Sequence, residues 1–515
     1  MKRFAECLLA VCACAAFLAP FARAATPAPK PSPTPVASPE SPGETPDAVS
    51  EHTVTIGGRA IAYTARAGTI TLRDERDEPT ARVFYTAYTV EGENRPVTFL
   101  YNGGPGSSTM WLRMGSVGPV RVLAGDGKPS GPPPYRIADN PYSILDKTDL
   151  VFIDMPATGF GRLTGAGTPK MFFGLDADVQ AFGQFIQRYI TRFHRWNAPK
   201  FLFGESYGTT RSGALSAYLQ DQGIPLNGIV LQSSILNYGL DYTNGDPIAA
   251  GDWPYVFYLP TEAATAWFHG KIRNRPADLG AFVAQVEQFG IGEYLNALYQ
   301  GARLPGAQRR TVAAHLAAYL GVPVGYVLTS NLRVPYSRFQ QELLRDRGIV
   351  VGRLDSRYQT YSLDRATNEG PPWDPTDSSI DGPYTTAINA YLRDDLKYET
   401  PLTYRTNIYN LVFSPESRWD FSHNGQSNPN VAPDLAYAMT QNPSLKVFSA
   451  NGYYDFATPF FATQYTLQHL NIAPALRSNI TYGFYEAGHM IYLSDAALAQ
   501  YQRDLDRWYD TALSR

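Results

Sequence analysis

The motif GESYG at 204–208 fits the pattern G-x-S-x-G, in which a serine can act as a nucleophile. It follows an apolar run at 201–203, which predicts a strand, and precedes a predicted helix at 209–220. A sharp turn from strand to helix lifts the serine hydroxyl above the sheet edge, and the glycines let the chain pass closely around it. The helix start adds free N–H groups and a positive dipole end. Although the five letters alone would fit an ordinary turn, this context predicts that Ser206 is a nucleophile.

A nucleophilic serine needs a base, and the base needs a carboxylate that orients it. His489 follows the last predicted strand, and Asp455 follows a strand predicted at 445–449. The chain order serine, aspartate, histidine and the places at strand carboxyl ends are those of a hydrolase triad on an open sheet. Asp154 also ends a predicted strand, but it precedes Ser206 and fits this order less well. We therefore predict that Ser206, Asp455 and His489 form a catalytic triad.

A glycine-rich loop, NGGPGSS at 102–108, follows the strand predicted at 97–101. Consecutive glycines let backbone N–H groups point at a developing oxyanion, together with the N–H group of the residue after the nucleophile. The position predicts an oxyanion-hole loop, and a plain turn stays open as the alternative.

The remaining histidines are expected to be surface or structural residues: His52, His194, His269, His315, His423 and His469. No zinc, Walker or dinucleotide signature occurs, so neither a metal nor a cofactor is predicted. Asp374, Asp377 and Asp381 could suggest a calcium loop, but their spacing is not that of an EF-hand, and we expect a solvated acidic loop.

These residues must be positioned by a sheet with helices on both faces. Short apolar runs predict inner parallel strands at 97–101, 150–153, 201–203 and 229–231, and a helical pattern lies between 178 and 196. An antiparallel meander is predicted before them, from about residue 53 to residue 87. Strands alternating with helices predict an α/β-hydrolase fold with a mostly parallel central sheet.

Between 233 and 444 the pattern changes to helical stretches mixed with Pro- and Gly-rich loops. Strand signals return only at 445–449 and 480–485. We therefore predict a core formed by 51–232 and 445–515, with an inserted, mainly helical cap at 233–444.

The composition of the 515 residues is that of a folded globular protein, with 44% hydrophobic and 18% charged residues. A formal net charge of −3 and the absence of a basic run argue against nucleic-acid binding.

The amino terminus has the pattern of a secretory signal peptide. Lys2 and Arg3 precede an apolar stretch from 7 to 20, and Ala22-Arg23-Ala24 offers a cleavage site after Ala24. This stretch is shorter than the roughly 20 residues that cross a bilayer, so we expect export without a stable membrane span. The Pro-, Ala-, Ser- and Thr-rich segment 25–50 predicts a linker. We expect a periplasmic or extracellular protein whose cysteines, Cys7, Cys12 and Cys14, all leave with the signal peptide.

Five segments in order resemble the serine carboxypeptidase family, which includes carboxypeptidase Y and cathepsin A. They are NGGPGSS at 102–108, FIDMPATGFG at 152–161, GESYG at 204–208, GYYDFATP at 452–459 and EAGHM at 486–490. The resemblance implies an exported serine-type carboxypeptidase that removes single residues from peptide or protein carboxyl ends. It implies an oxyanion hole at Gly104 and Tyr207, and binding of the substrate carboxylate by Asn102 and Glu205.

Three positions depart from the family pattern. Leu100 stands where the family usually has Trp, Ser107 replaces a cysteine, and Ser116 replaces a second glutamate. In the family two carboxyl groups share a proton and bind the substrate carboxylate, so Ser116 leaves this arrangement incomplete. An esterase, an acyltransferase or an aminopeptidase on the same fold stays open. A binding protein with a degenerate hydrolase fold would lack a triad member, and none is missing. The sequence leaves open whether the protein forms a homodimer.

Overall fold

The computed structural model describes residues 46–240, 251–368 and 370–514. The predicted signal peptide at 1–24 and most of the predicted linker lie outside the described residues. The linker boundary at residue 50 is corrected, because the first strand already begins at Ala48, where Ala48 pairs with Ala67 of the next strand.

Fourteen strands lie in the described residues: β1 Ala48–Ile56, β2 Arg59–Arg73, β3 Pro79–Thr89, β4 Val97–Tyr101, β5 Val120–Val122, β6 Ile137–Asp139, β7 Asp149–Ile153, β8 Arg162–Leu163, β9 Lys200–Ser206, β10 Gly228–Ser234, β11 Ile349–Val351, β12 Gln359–Tyr361, β13 Lys446–Gly452 and β14 Ile480–Tyr485.

The described α-helices are α1 Met110–Gly115, α2 Leu175–Arg192, α3 Tyr207–Asp221, α4 Trp253–Phe268, α5 Leu279–Phe289, α6 Leu295–Gln300, α7 Gly306–Leu320, α8 Val324–Thr329, α9 Tyr336–Glu342, α10 Pro375–Ala390, α11 Tyr409–Val412, α12 Ala432–Gln441, α13 Phe460–Gln468 and α14 Asp495–Leu513. Short 3₁₀ or π turns occur at Pro169–Met171, Tyr238–Leu240, Gly290–Tyr294, Gly301–Arg303, Arg345–Arg347, Tyr391–Asp395, Pro474–Asn479 and Ile491–Leu493. Over this part of the chain, none of the helices has the length and hydropathy of a bilayer-crossing segment.

The central sheet has the strand order β1-β2-β3-β7-β4-β9-β10-β13-β14, with β8 paired to β3. Strands β7, β4, β9, β10, β13 and β14 run parallel, and β1 to β3 form the predicted antiparallel meander at one edge. The α/β-hydrolase fold with a mostly parallel sheet is confirmed.

Successive residues of each inner strand pack alternately into two hydrophobic cores, one on each face of the sheet. In β9, Leu202 packs in a core with residues of α2, α3 and α12, whereas Phe201 and Phe203 pack in a second core with residues of α14. This period-two burial on both faces explains why the inner strands are continuous apolar runs.

The region between β10 and β13 is mainly helical, as the sequence indicated, but it also contains the antiparallel pair β11 and β12, which was not predicted, and its helices pack in different cores. Helices α4 to α9 form a third core, to which Tyr454 and Phe456 also contribute. The later helix α12 packs in the core beside α2 and α3, and α10 packs in the core beside α14. The exact limits of the inserted cap, 233–444, stay a prediction.

Candidate active site

Ser206 lies at the junction of β9 and α3 with φ 61° and ψ −132°, an uncommon conformation for a residue with a side chain. Two glycines make this turn possible. A Cβ on Gly204 would lie 2.2 Å from the carbonyl oxygen of Gly208, so the chain can close this tightly only with glycine there. The strand, turn and helix predicted around Ser206 are all present.

His489 and Asp455 are brought together because they follow β14 and β13, which are neighbouring parallel strands. Nδ1 of His489 lies 2.8 Å from Oδ2 of Asp455, and both side chains are buried. The Asp455 carboxylate also accepts hydrogen bonds from the backbone N–H groups of Ala457 (2.7 Å) and Thr458 (3.1 Å). With Nδ1–H donated to Asp455, Nε2 is the nitrogen that can accept a proton from a nucleophile.

The electrostatic environment of His489 favours its protonated form. Burial lowers the pKa of the imidazole, but the charge and hydrogen bond of Asp455 raise it, and the net direction is upward. An imidazole stabilised in this way can hold the proton that a serine hydroxyl gives up during attack.

One cavity of about 630 Å³ holds most of the predicted site residues. It is lined by residues of the motifs, namely Asn102, Gly103, Gly104, Ser107, Glu205, Ser206, Tyr207, Thr458, His489 and Met490. Asp455 lies behind His489, as the third member of a triad should.

The glycine-rich loop lies directly against the start of α3. A Cβ on Gly103 would be 2.4 Å from the backbone nitrogen of Tyr207, and Gly104 has φ 109°, a conformation that favours glycine. Gly104 and Tyr207 thus line the same part of the cavity, next to Ser206. This proximity is compatible with two backbone oxyanion donors.

Asn102 and Glu205 meet in a buried cluster that also contains Gln232. Oε1 of Glu205 accepts a 2.6 Å hydrogen bond from Asn102 Nδ2, and Oε2 accepts a 2.6 Å hydrogen bond from Gln232 Nε2. Burial raises the pKa of Glu205 to about 7. The sequence motifs did not indicate Gln232, although the pairing of Gln232 with Glu205 across β10 and β9 would have placed it there.

Two of the three departures from the family pattern, Ser116 and Leu100, do not line the cavity, whereas Ser107 does. Ser116 ends α1, is fully buried, and its carbonyl oxygen accepts a hydrogen bond from Asn140. Leu100 packs in the core on the α14 side of the sheet, and Ser107 accepts a hydrogen bond from Trp111. No second glutamate accompanies Glu205 among the described residues that line the cavity.

Asp154, the other strand-ending aspartate, is fully buried away from the cavity. Its carboxylate accepts hydrogen bonds from Arg113 (3.2 Å), Tyr404 (2.9 Å) and the backbone N–H of Thr109 (2.8 Å). These contacts link the end of β7 to α1 and to the inserted region, so the role of Asp154 is structural.

The cavity also has a wall that the motifs did not indicate. It comprises residues of α1, of the inserted region and of the loops that follow them: Trp111, Ile235, Tyr238, Arg353, Leu354, Asp377, Asp381, Asn407, Tyr409 and Phe413. Burial, with a further contribution from Asp374 and Asp381, raises the pKa of Asp377 to about 7. Asp374 itself caps α10 by accepting a hydrogen bond from the N–H of Thr376, so the three aspartates are not a solvated loop.

None of the other described histidines lines this cavity. Five of them have partners elsewhere: His52 stacks on Tyr63, His269 contacts the carbonyl oxygen of Ser356, His315 pairs with Glu293, His423 pairs with Asp176 and Asp434, and His469 contacts the carbonyl oxygen of Tyr465. Within the described residues, no group of His, Cys, Asp and Glu side chains has the arrangement of a metal site.

Residues 61–244 match the family model of serine carboxypeptidases. Among curated proteins, the chain is 27% identical over 171 residues to serine carboxypeptidase-like 36 of Arabidopsis thaliana, covering 31% of this chain and 33% of that protein. It is 33% identical over 156 residues to the pheromone-processing carboxypeptidase KEX1 of Saccharomyces cerevisiae, covering 27% of this chain and 20% of that protein. These matches therefore span a third or less of the relatives' length.

The crystal structure of the same yeast enzyme, a prohormone-processing carboxypeptidase, superposes with a TM-score of 0.51 at 15% identity, covering 87% of this chain and 91% of that chain. This likeness concerns the fold. The family-model match includes the glycine-rich loop and the GESYG motif, so residues 61–244 are similar to the serine carboxypeptidase family.

Proposed function

We propose that this protein is an exported serine-type carboxypeptidase with Ser206, His489 and Asp455 as its catalytic triad. The observation that carries the proposal is the meeting, in one cavity, of Ser206 and His489 with the buried cluster of Asn102 and Glu205. Ser206 and His489 supply the nucleophile and the base for acyl transfer, and Asn102 and Glu205 supply polar groups that can bind a substrate carboxylate.

In the proposed reaction, the Ser206 hydroxyl attacks the last peptide carbonyl while Nε2 of His489 takes its proton. The N–H groups of Gly104 and Tyr207 stabilise the resulting oxyanion. His489 then returns the proton to the leaving amine, which departs as the free carboxyl-terminal amino acid. A water molecule, deprotonated by His489, hydrolyses the acyl-enzyme and restores the serine.

Asn102 and Glu205 are proposed to bind the free carboxylate of the substrate. Glu205 can donate a hydrogen bond to a carboxylate only while it is protonated, and its pKa of about 7 keeps most of it protonated in mildly acidic solution. In this protein burial supplies the upward shift that, in the family, a second carboxyl group would supply by sharing a proton.

One observation favours an aminopeptidase as a second candidate. Asp377 and Asp381 line the same cavity, and carboxylates at that wall would suit the ammonium group of a peptide amino terminus. A carboxypeptidase and an aminopeptidase would use the same triad and differ in the end of the peptide that the cavity recognises.

The test compares one peptide sequence in three forms: acetylated with a free carboxylate, acetylated and amidated, and amidated with a free amine. Mass spectrometry of the products with the wild type and with Ser206→Ala assigns the activity. Release of the last residue from the first form alone supports a carboxypeptidase. Cleavage confined to the third form supports an aminopeptidase, and hydrolysis of simple esters without any peptide cleavage would overturn both.

A further inference from the structure

The segment 353–357, which we call the strap, runs from β11 toward β12 in the inserted region and passes between the two loops that carry Asp455 and His489. Its backbone makes hydrogen bonds to both loops. Ser356 N–H donates to Tyr454 O (3.0 Å), and Phe456 N–H donates to Arg353 O (2.9 Å), so the strap holds the residues on both sides of Asp455.

On its other side the strap holds the residues at His489. The backbone N–H of His489 donates to Leu354 O (2.6 Å), and the N–H of Gly488 donates to Oδ2 of Asp355 (3.3 Å). The packing here is tight, because a Cβ on Gly488 would lie 2.4 Å from Cβ of Asp355. The residue before the catalytic base must therefore be glycine for the strap to lie where it does.

The Asp355 carboxylate is fixed by a buried arginine. Arg357 donates from Nη2 to Oδ2 (2.6 Å) and from Nε to Oδ1 (3.0 Å), and its Nη1 donates to Asp126 (2.7 Å). Burial alone would lower the pKa of Arg357, but Asp355 and Asp126 raise it, so the guanidinium stays charged. A two-pronged ion pair of this kind fixes direction as well as distance.

The first turn of α10 holds the strap from the opposite side. Asp374 Oδ2 accepts a hydrogen bond from the N–H of Leu354 (2.8 Å), and Thr376 Oγ1 accepts one from the N–H of Asp355 (3.1 Å). The strap is thus anchored by α10 and, through Arg357, by Asp126, while its backbone contacts both catalytic loops.

We infer that the strap, through the pair Asp355 and Arg357, is a positioning element that sets the orientation of His489 against Asp455. The inference rests on the proposed function for its catalytic meaning. The groups that face the His489 imidazole electrostatically are Asp455, Glu205, Arg353 and Asp377. Asp355 positions His489 through the backbone of Gly488 and Leu354. If the strap is loosened, the hydrogen bond and ion pair between Asp455 and the His489 imidazolium are weakened.

The test uses two variants. Asp355→Asn removes the negative charge that Arg357 binds, and Arg357→Lys keeps the positive charge but cannot make the two-pronged pair of hydrogen bonds to the carboxylate. The matched control is Asp149→Asn. Asp149 is equally buried and is held by Arg95 (3.0 Å) and Arg195 (2.7 Å), but it lies at the amino end of β7, the end opposite the catalytic loops.

Two readouts are measured on each full-length variant. The first is kcat and KM with the peptide or ester that the wild type hydrolyses. The second is the titration midpoint of His489, followed by NMR with labelled histidine and assigned from its loss in His489→Gln. Because misplacement of a catalytic group by about 1 Å can cost on the order of 100-fold in rate, we expect Asp355→Asn to lower kcat by about that factor, with KM changed by less than about threefold.

We expect the His489 midpoint to move to lower pH in Asp355→Asn and, to a smaller extent, in Arg357→Lys, and to stay in place in Asp149→Asn. If Asp355→Asn does not fold, the same two measurements on Arg357→Lys decide the test. The inference is overturned if the midpoint and kcat are unchanged in the strap variants, or if the control shifts the midpoint equally. A shifted midpoint in a protein without hydrolase activity would instead overturn the proposed function and leave the positioning role standing.

Discussion

The Nδ2 amide of Asn102 donates a 2.6 Å hydrogen bond to Oε1 of Glu205, the residue before Ser206. This contact joins the loop after β4 to the end of β9, so it fixes the glycine-rich loop relative to the candidate nucleophile. The opposite oxygen of Glu205 is bound by Gln232 from β10, so three neighbouring strands of the sheet contribute to the same polar cluster.

Replacement of Ser206 by alanine should abolish hydrolysis without unfolding the protein. Loss of a triad nucleophile costs on the order of a millionfold in kcat. The matched control is Ser216→Ala, since Ser216 is a buried serine of α3, the helix that follows Ser206, and does not line the cavity. Steady-state kinetics together with thermal unfolding of both variants check this. Near-wild-type turnover in Ser206→Ala would contradict the triad.

Recognition of a free carboxylate should depend on the protonation of Glu205. Since its pKa is about 7, KM for a peptide acid should rise as the pH increases through 7, when the glutamate loses the proton that it donates. A matching neutral ester should show no such rise. Glu205→Gln, which cannot ionise, should make KM for the peptide acid independent of pH over this window. An unchanged rise in Glu205→Gln would mean that another group binds the carboxylate.

The same glutamate should make the stability of the protein depend on pH. The pKa of Glu205 is about 7 in the folded protein and about 4.5 when exposed, so the folded state retains a proton that the unfolded chain loses between these values. The resulting stabilisation is complete below pH 4.5 and is lost as the pH rises to 7, by up to about 3 kcal/mol. Denaturant unfolding of the wild type and of Glu205→Gln should give a difference in free energy that changes across this window. A constant difference would contradict the raised pKa.

The contact between the glycine-rich loop and α3 should tolerate no side chain at residue 103. A Cβ there would lie 2.4 Å from the nitrogen of Tyr207, so Gly103→Ala must push the two proposed oxyanion donors apart. We expect a loss of about 1–3 kcal/mol in stability from overpacking and of about 100- to 1,000-fold in kcat. Gly292→Ala is the control, because a Cβ on Gly292 meets no atom within 4 Å. Wild-type kcat in Gly103→Ala would exclude this loop from the oxyanion hole.

The sequence was sufficient for the residues that follow strands at the carboxyl edge of the sheet. Ser206 ends β9, which is buried on both faces, and Asp455 and His489 lie on the loops that follow β13 and β14. Parallel strands deliver such residues to one edge, so their meeting follows from the topology. The structure agrees with the predicted inner strands and with the place of the glycine-rich loop after β4, whereas its role as an oxyanion hole stays a prediction.

Helix limits in the inserted region were harder to predict because proline interrupts the pattern. Helix α4 begins at Trp253 and includes Pro260 in its interior, a position at which proline is expected to end or kink a helix. Pro260 is buried among the apolar residues of the third core, and their packing outweighs the lost hydrogen bond. Helix α10 likewise contains Pro383.

The strap and the cavity wall could not have been predicted, because they depend on distant pairings. Asp355 meets Gly488 across 133 residues, and Arg357 meets Asp126 across 231 residues. Without a local spacing to mark them, such contacts become visible only when the chain has folded. The pKa of Glu205 is raised by its burial, which the sequence motifs do not reveal.

The strap makes the rate of the reaction and the choice of substrate hard to separate. The same short segment offers Arg353 and Leu354 to the cavity and, through Leu354 and Asp355, holds the loop of His489. An exchange of the inserted region with that of a relative would therefore replace the recognition surface and the support of the acid–base pair at once. Changes in selectivity along this segment are then expected to be paired with changes in turnover, and substitutions that change recognition alone should come from α11 and the loop after α11.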